Sequence, residues 1–254
     1  YRQDFNIAPA PFWEAADAED RVGMSEIRHI EGLYALWDEL LARHPGLMID
    51  NCAAGGRRID LETTSRSVPL WRSDVQEAPG FDLAAMQTQT HGLSLWVPLS
   101  AGYCSDVDTY AFRSALSAGM VVDWSLRALD RHVELDLPAA RKLVAEFHTT
   151  RPYFYGDMYP LLSFSTSNEV WAAWQFDRPD LGEGMVLAFR RRESPFPRLE
   201  SALQGLVPEA RYEWRNVDTG EVAVVSGRAL LEEGVRIDIA EKPGSALILY
   251  RRVG

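Results

Sequence analysis

A chain of 254 residues, 46% of them hydrophobic, has the apolar material for one large domain or two modest ones, which excludes an intrinsically disordered segment. Its 26 basic and 37 acidic side chains give a formal charge of −11, the wrong sign for gripping a nucleic-acid backbone. No apolar run approaches the ~20 residues of a membrane-spanning helix, since the most apolar stretch, Ala118 to Leu126, is interrupted by Asp123.

Tyr1 to Phe5 reads as the tail of a first strand. From Ser25, a fitting N-cap, apolar residues at Ile27, Ile30, Leu33, Tyr34, Trp37, Leu40 and Leu41 follow helical spacing until His44-Pro45-Gly46 stops the helix. Gly46 to Asp50 and Val68 to Arg72 are too short for helices and are predicted as buried strands. Next come a helix over 81–90, a strand over Leu93 to Leu99, a helix over 106–117 and a strand over Met120 to Trp124. The last helix of this half spans Pro138 to Thr150, with Asp136 placed to cap it and Pro138 tolerated in its first turn.

Strand–helix alternation predicts parallel strands joined by crossover helices. A complete eight-stranded β/α barrel takes ~250 residues. Five strands in about 150 residues therefore predict the second half of such a barrel, with open edges at Tyr1–Phe5 and Met120–Trp124. An open doubly wound sheet is the alternative, but no Gly-x-Gly-x-x-Gly turn follows any strand to support dinucleotide binding. With Tyr1 rather than Met at its head, the natural start is expected upstream.

Past Arg151-Pro152 the pattern changes. Strand-length runs at 161–165, 170–176, 185–190, 211–216, 221–225, 235–239 and 246–250 are separated by turn formers such as Lys242-Pro243-Gly244, and Asp218-Thr219-Gly220 marks a hairpin. The fold class is thus α/β, a half barrel over 1–151 followed by an antiparallel β-sandwich over 152–254.

In a β/α barrel, reactive groups project from the C-terminal ends of the strands. Those ends carry Asp4, the Asp50-Asn51-Cys52 run before Gly55-Gly56, and Arg72-Ser73-Asp74. Two carboxylates facing one another across a barrel mouth are what glycoside hydrolysis requires, one as nucleophile or base and one as acid. The paired glycines permit a backbone to approach a ligand closely. Among eight tryptophans, Trp37 fits the apolar face of its helix, while Trp71 and Trp96 lie near strand ends as sugar-stacking candidates. His29, His44, His91, His132 and His148 share no metal-ligand spacing, so no metal is expected. Two cysteines, Cys52 and Cys104, imply no disulfide framework and point to a reducing, cytoplasmic setting.

These segments carry a family resemblance. Arg2-Gln3-Asp4-Phe5-Asn6 resembles the Lys-Trp-Asp-x-Asn nucleophile segment of glycoside hydrolase family 36, the microbial α-galactosidases. Asn51-Cys52-Ala53-Ala54-Gly55-Gly56-Arg57-Arg58-Ile59-Asp60 is similar to that family's Asn-Cys-Ala-Ser-Gly-Gly-Gly-Arg-Phe-Asp loop, and Pro69-Leu70-Trp71-Arg72-Ser73-Asp74 to its Trp-x-Ser-Asp segment. The family's barrel is also followed by a β-sandwich, so the resemblance covers the whole chain.

The resemblance implies a retaining α-galactosidase with Asp4 as nucleophile and Asp74 as acid/base. It places Arg2, Asn6, Cys52, Gly55, Gly56 and Arg72 around the sugar. It implies no cofactor and an α-galactoside substrate, and it allows a homo-oligomer. Arg2 stands for the family's Lys, Gln3 for its Trp and Arg57 for its third loop glycine, so a related glycosidase or transglycosylase of other specificity, such as an α-N-acetylgalactosaminidase, stays open. Because the family's first barrel strands have no counterpart here, the chain is expected to be a fragment that is inactive alone. A non-catalytic carbohydrate-binding piece is the rival from another class.

Overall fold

A computed structural model describes every residue except Pro79 and Pro98, and the backbone alone of Arg127. The chain forms two compact units, Tyr1–Ala78 and Pro79–Gly254.

In the first unit, β1 (Arg2–Asp4) leads through α1 (Ala10–Ala16) into the long α2 (Met24–Arg43), then β2 (Asp50–Cys52) and the short α3 (Leu61–Thr64). The helical spacing of α2 is realised, with Leu33 and the fully buried Trp37 turned inward against Ile49. Its N-terminus corrects the expectation for Ser25. The cap is Gly23 in a left-handed conformation, and the Asp17 carboxylate, from outside the helix, accepts the N–H groups of Gly23 at 2.7 Å and Ser25 at 2.9 Å.

The strand predicted at Gly46 to Asp50 is displaced along the chain, because Gly46 at φ 90° makes a turn and pairing begins only at Asp50. β1 and β2 run parallel, with Arg2, Gln3 and Asp4 opposite Asp50, Asn51 and Cys52. The strand predicted at Val68 to Arg72 is reduced to isolated bridges, at Val68, which runs parallel to Asp50, and at Trp71.

In the second unit, α4 (Leu83–Leu93), β3 (Ala101–Cys104), α5 (Thr109–Ala115), β4 (Gly119–Val122), α6 (Trp124–Asp130) and α7 (Leu137–Thr150) follow in order. Asp82, Asp108 and Asp136 cap α4, α5 and α7 by accepting backbone N–H groups of their first turns. The strand predicted over Leu93 to Leu99 is not formed: α4 runs through Leu93, a turn follows, and Pro98 lies outside the described residues. Pairing falls instead on Ala101–Cys104, parallel to β4. Gly102 is required there, since a Cβ on it would sit 1.8 Å from the Ala115 carbonyl oxygen.

The rest of this unit is mainly antiparallel sheet. β5 (Asp157–Pro160), β6 (Ala172–Arg178), β7 (Glu183–Arg190), β8 (Arg198–Ser201), β9 (Arg211–Asn216), β10 (Val222–Ser226), the short α8 (Gly227–Glu232), β11 (Val235–Asp238) and β12 (Gly244–Val253) complete it. Six strands form one sheet in the order β10-β9-β12-β7-β6-β5, and β8 pairs separately with β11. The run at 161–165 is not a strand; the edge strand lies just before it, with Pro160 at its end, where a missing N–H costs no ladder bond.

Central strand β7 shows why both faces are apolar. Met185, Leu187 and Phe189 join Phe112, Leu143 and Phe154 in one core, while Val186 and Ala188 face Leu199, Val235 and Ile237 in another. The first core is anchored by the buried Arg113. It holds Glu146 through two bonds of 2.7 and 2.8 Å and Asp218 of the β9–β10 hairpin at 2.8 Å. No helix among the described residues is long and apolar enough to cross a membrane.

Candidate active site

All eight residues assigned by sequence to the site, Arg2, Asp4, Asn6, Cys52, Gly55, Gly56, Arg72 and Asp74, lie in the first unit. Alternation along β1 and β2 sorts their neighbours. Gln3 points toward α2, where its Oε1 accepts the Trp37 indole N–H at 2.7 Å, so the family's Trp is replaced here on the packing side of the strand. Arg2 and Asp4 take the other face. The Arg2 guanidinium donates through Nη2 to Asp4 Oδ2 at 3.1 Å and through Nη1 to Asp50 Oδ2. Desolvation works against the charge of Arg2, but its pairing with Asp50, and secondarily with Asp4, outweighs this and raises its pKa.

The segment from Asn51 to Arg58 connects the two carboxylates. Cys52 is the register partner of Asp4, and its thiol is pushed up in pKa first by burial and further by the Asp4 charge beside it. The neutral thiol approaches the Gly55 carbonyl oxygen at 3.8 Å. Asn6 Oδ1 accepts the Ala54 N–H at 2.9 Å, pinning the loop to the chain that leaves β1. Ala54 and Gly55 both have positive φ, which turns the loop sharply.

Gly55 and Gly56 then lie flush on the segment carrying Asp74. A Cβ on Gly55 would come 2.7 Å from the Asp74 amide nitrogen, and one on Gly56 would come 2.5 Å from the Arg72 carbonyl oxygen. The glycines thus serve a backbone-to-backbone approach within the chain. Asp74 is further oriented by Trp71, whose indole N–H donates to Oδ1 at 2.9 Å. The nitrogen edge of Trp71 is therefore spent on Asp74, whereas Trp96, the other stacking candidate, lies in the second unit and is 45% exposed.

Arg72 is placed differently from the others. It is buried, and desolvation lowers its guanidinium to about 10. Two residues to which sequence reasoning gave no role are part of the assembly. Arg58 donates to the carbonyl oxygens of Cys52 at 2.5 Å and Gln3 at 3.3 Å, clamping the ends of β1 and β2, and lies 5.6 Å from the centre of the Phe5 ring. Asp50 begins β2 instead of ending a strand and is the other partner of Arg2. Their signal, a charged residue inside the loop motif for Arg58 and just before it for Asp50, carries no direction.

Chemically, the arrangement offers two carboxylates joined by one rigid loop. Asp4 has one oxygen held by a guanidinium, and Asp74 has one held by an indole. No group of His, Cys, Asp and Glu suited to a metal ion occurs among the described residues.

Known proteins resemble the chain at three levels. Residues 171–249 match the glycosyl hydrolase family 36 C-terminal domain. Over 243 residues the chain is 28% identical to α-galactosidase 1 of Pediococcus pentosaceus, covering 91% of this chain and 32% of that protein. Over 230 residues it is 27% identical to α-galactosidase AgaA of Geobacillus stearothermophilus, covering 83% and 29%. Among solved structures, the family 36 α-galactosidase AgaB of Geobacillus stearothermophilus superposes with a TM-score of 0.75 at 24% identity, over 99% of this chain and 35% of that one. The α-galactosidase of Lactobacillus brevis gives 0.75 at 20% identity, over 100% and 35%. The chain spans about a third of the length of these relatives.

Proposed function

From a chain that is a relative of glycoside hydrolase family 36 and corresponds to the C-terminal part of its members, we infer the catalytic carboxylates and C-terminal domain of a retaining α-glycosidase acting on terminal α-galactosides. Asp4 attacks the anomeric carbon through Oδ1, since Arg2 engages Oδ2. As that bond forms, the glycosidic C–O bond breaks and Asp74 gives its proton to the leaving oxygen. Asp74 then takes a proton from water, which attacks the anomeric carbon and frees Asp4. Arg2, Asn6, Cys52, Gly55 and Gly56 border the glycon.

The observation that carries this reading is the contact of a single loop with both acids, through Cys52 at Asp4 and through Gly55 at Asp74. Two parallel strand pairs interleaved with helices support reading 1–151 as half of a β/α barrel, with 152–254 as the sandwich that follows. Val121 and Val122 of β4 are 40% and 41% exposed, as expected of a strand edge awaiting a neighbour. The two free, buried cysteines agree with a cytoplasmic setting. Structures of two AgaA variants from Geobacillus stearothermophilus, one with raffinose and one with stachyose, make such oligosaccharides the first substrates to offer.

The test is covalent trapping. The polypeptide that carries this chain is treated with a mechanism-based galactosyl inactivator, then weighed intact and mapped by peptide. One adduct on Asp4, absent from Asp4→Asn, is expected; an adduct elsewhere, or none, contradicts the assignment. A second glycon is kept open by Arg2, whose planar guanidinium, already committed to two acids, presents other donors to a sugar than a lysine does. Faster trapping by the N-acetylgalactosaminyl counterpart would favour it.

A further inference from the structure

Arg2 is shared between two carboxylates that face it from neighbouring strands, Asp4 on β1 and Asp50 on β2. Asp50 is the more enclosed of the two, its side chain 16% exposed against 31% for Asp4. Its other oxygen, Oδ1, is buried with no hydrogen-bond partner. A carboxylate so enclosed depends on its pairing with Arg2, because without it the charge would be left uncompensated away from water. Arg2 is 44% exposed at its side chain and would otherwise be free to sample many rotamers. The pairing with Asp50 is what removes that freedom.

We propose that Asp50 is a positioning residue for the nucleophile: it fixes the Arg2 guanidinium, and the guanidinium in turn fixes Asp4 Oδ2 and leaves Oδ1 aimed for attack. The inference rests on the reading of Asp4 as nucleophile. Two further features fit it. Asp50 contributes more than Asp4 to the raised pKa of Arg2, so the guanidinium belongs first to Asp50. Asp50 is also braced on both sides: its own N–H donates to the Tyr1 carbonyl oxygen at 2.8 Å on the β1 side, and Val68 bridges to it in parallel on the other. The anchor of Arg2 thus sits on the middle one of three adjoining extended segments, where the backbone has least freedom to drift.

Without a carboxylate at position 50, Arg2 is expected to swing onto Asp4 and take up both of its oxygens. The attacking oxygen is then engaged by a cation and turned from the anomeric carbon, an effect on the covalent step and not on sugar affinity.

The experiment measures the rate of galactosyl trapping at Asp4 in the polypeptide that carries this chain, resolved into the limiting rate constant and the half-saturating inactivator concentration. For Asp50→Asn the limiting rate is expected to fall roughly 10- to 100-fold with half-saturation changed less than about twofold. Asp50→Glu, which restores the charge, should recover most of the rate. Arg2→Met should lose as much as Asp50→Asn, and the double variant no more than the worse single one, because both act through one contact. A wild-type rate in Asp50→Asn, a loss confined to half-saturation, or no recovery in Asp50→Glu with its fold intact by near-UV circular dichroism overturns the proposal alone. Absence of any Asp4 adduct in the wild type overturns the nucleophile assignment, and this inference falls with it.

Discussion

Gly55 shows how much of the candidate site depends on single atoms. Its φ of 76° belongs to the left-handed region, and the space a Cβ would need is taken by the Asp74 amide 2.7 Å away. Gly55→Ala should therefore cost about 1–2 kcal/mol of stability in backbone strain. The larger effect falls on activity, where lifting the loop from Asp74 by a fraction of an ångström should reduce turnover by roughly 10²-fold. Thermal melts and initial rates on an aryl α-galactoside check the two halves of the expectation, and a variant with near-normal rates would show that the loop contact is dispensable. The glycine pair, the Asp4 segment and the Asp74 segment stood out in the sequence through the family resemblance, since spacing alone does not single out two acids among 37. Asp50 and Arg58 were not, since an isolated charge reads the same whether it is solvated or anchors a neighbour.

Among the elements, the antiparallel sheet was read more accurately than the parallel pairs. Arg211–Asn216 was predicted to the residue, and β6, β7 and β12 within a few positions, because strand-length runs bounded by turn formers are too short for helices. The misplaced strands at 46–50 and 93–99 are apolar for another reason: Ile49 and Val97 are buried without belonging to a ladder. β8, with only Leu199 buried among polar neighbours, carried too little apolar signal to be seen.

The elements of the second unit are tied by Arg113, which joins α5 to α7 and to the β9–β10 hairpin. Replacing it with Met leaves the buried Glu146 without its cation, Asp218 being 35% exposed, and the expected cost is about 3 kcal/mol, read from denaturant unfolding. A change below 1 kcal/mol would mean that Glu146 and Asp218 find water or other partners.

Asp177, on β6, makes a pH-dependent contribution of the opposite kind. Burial, helped by the nearby charges of Asp157 and Asp180, raises its pKa above the ordinary 3.8, against the pull of the Tyr250 hydroxyl that donates to it at 2.7 Å. The folded state therefore binds this proton more tightly than the unfolded chain. Its contribution to stability is complete below the ordinary value and is lost as pH rises through the raised one. Asp177→Asn keeps an acceptor for Tyr250 and cannot titrate. Its stability relative to the wild type should improve as pH climbs from about 4, and parallel curves for the two proteins would contradict the assignment.

Across the whole molecule, two features that do not depend on each other bear on function. One is the match of 171–249 to the family 36 C-terminal domain, far along the chain from the acids. The other is a local geometry in the first 78 residues that brings a nucleophile segment and an acid segment against one loop. The first places the chain with the family 36 α-galactosidases, and the second is the geometry on which the proposed double displacement by Asp4 and Asp74 rests. The most direct test is to follow the first turnovers of raffinose, an α-galactoside, by proton NMR, using the polypeptide that carries this chain. Retention predicts that α-galactose appears first and the β anomer only later, as mutarotation proceeds; β-galactose as the first product would contradict the covalent mechanism and the role given to Asp4.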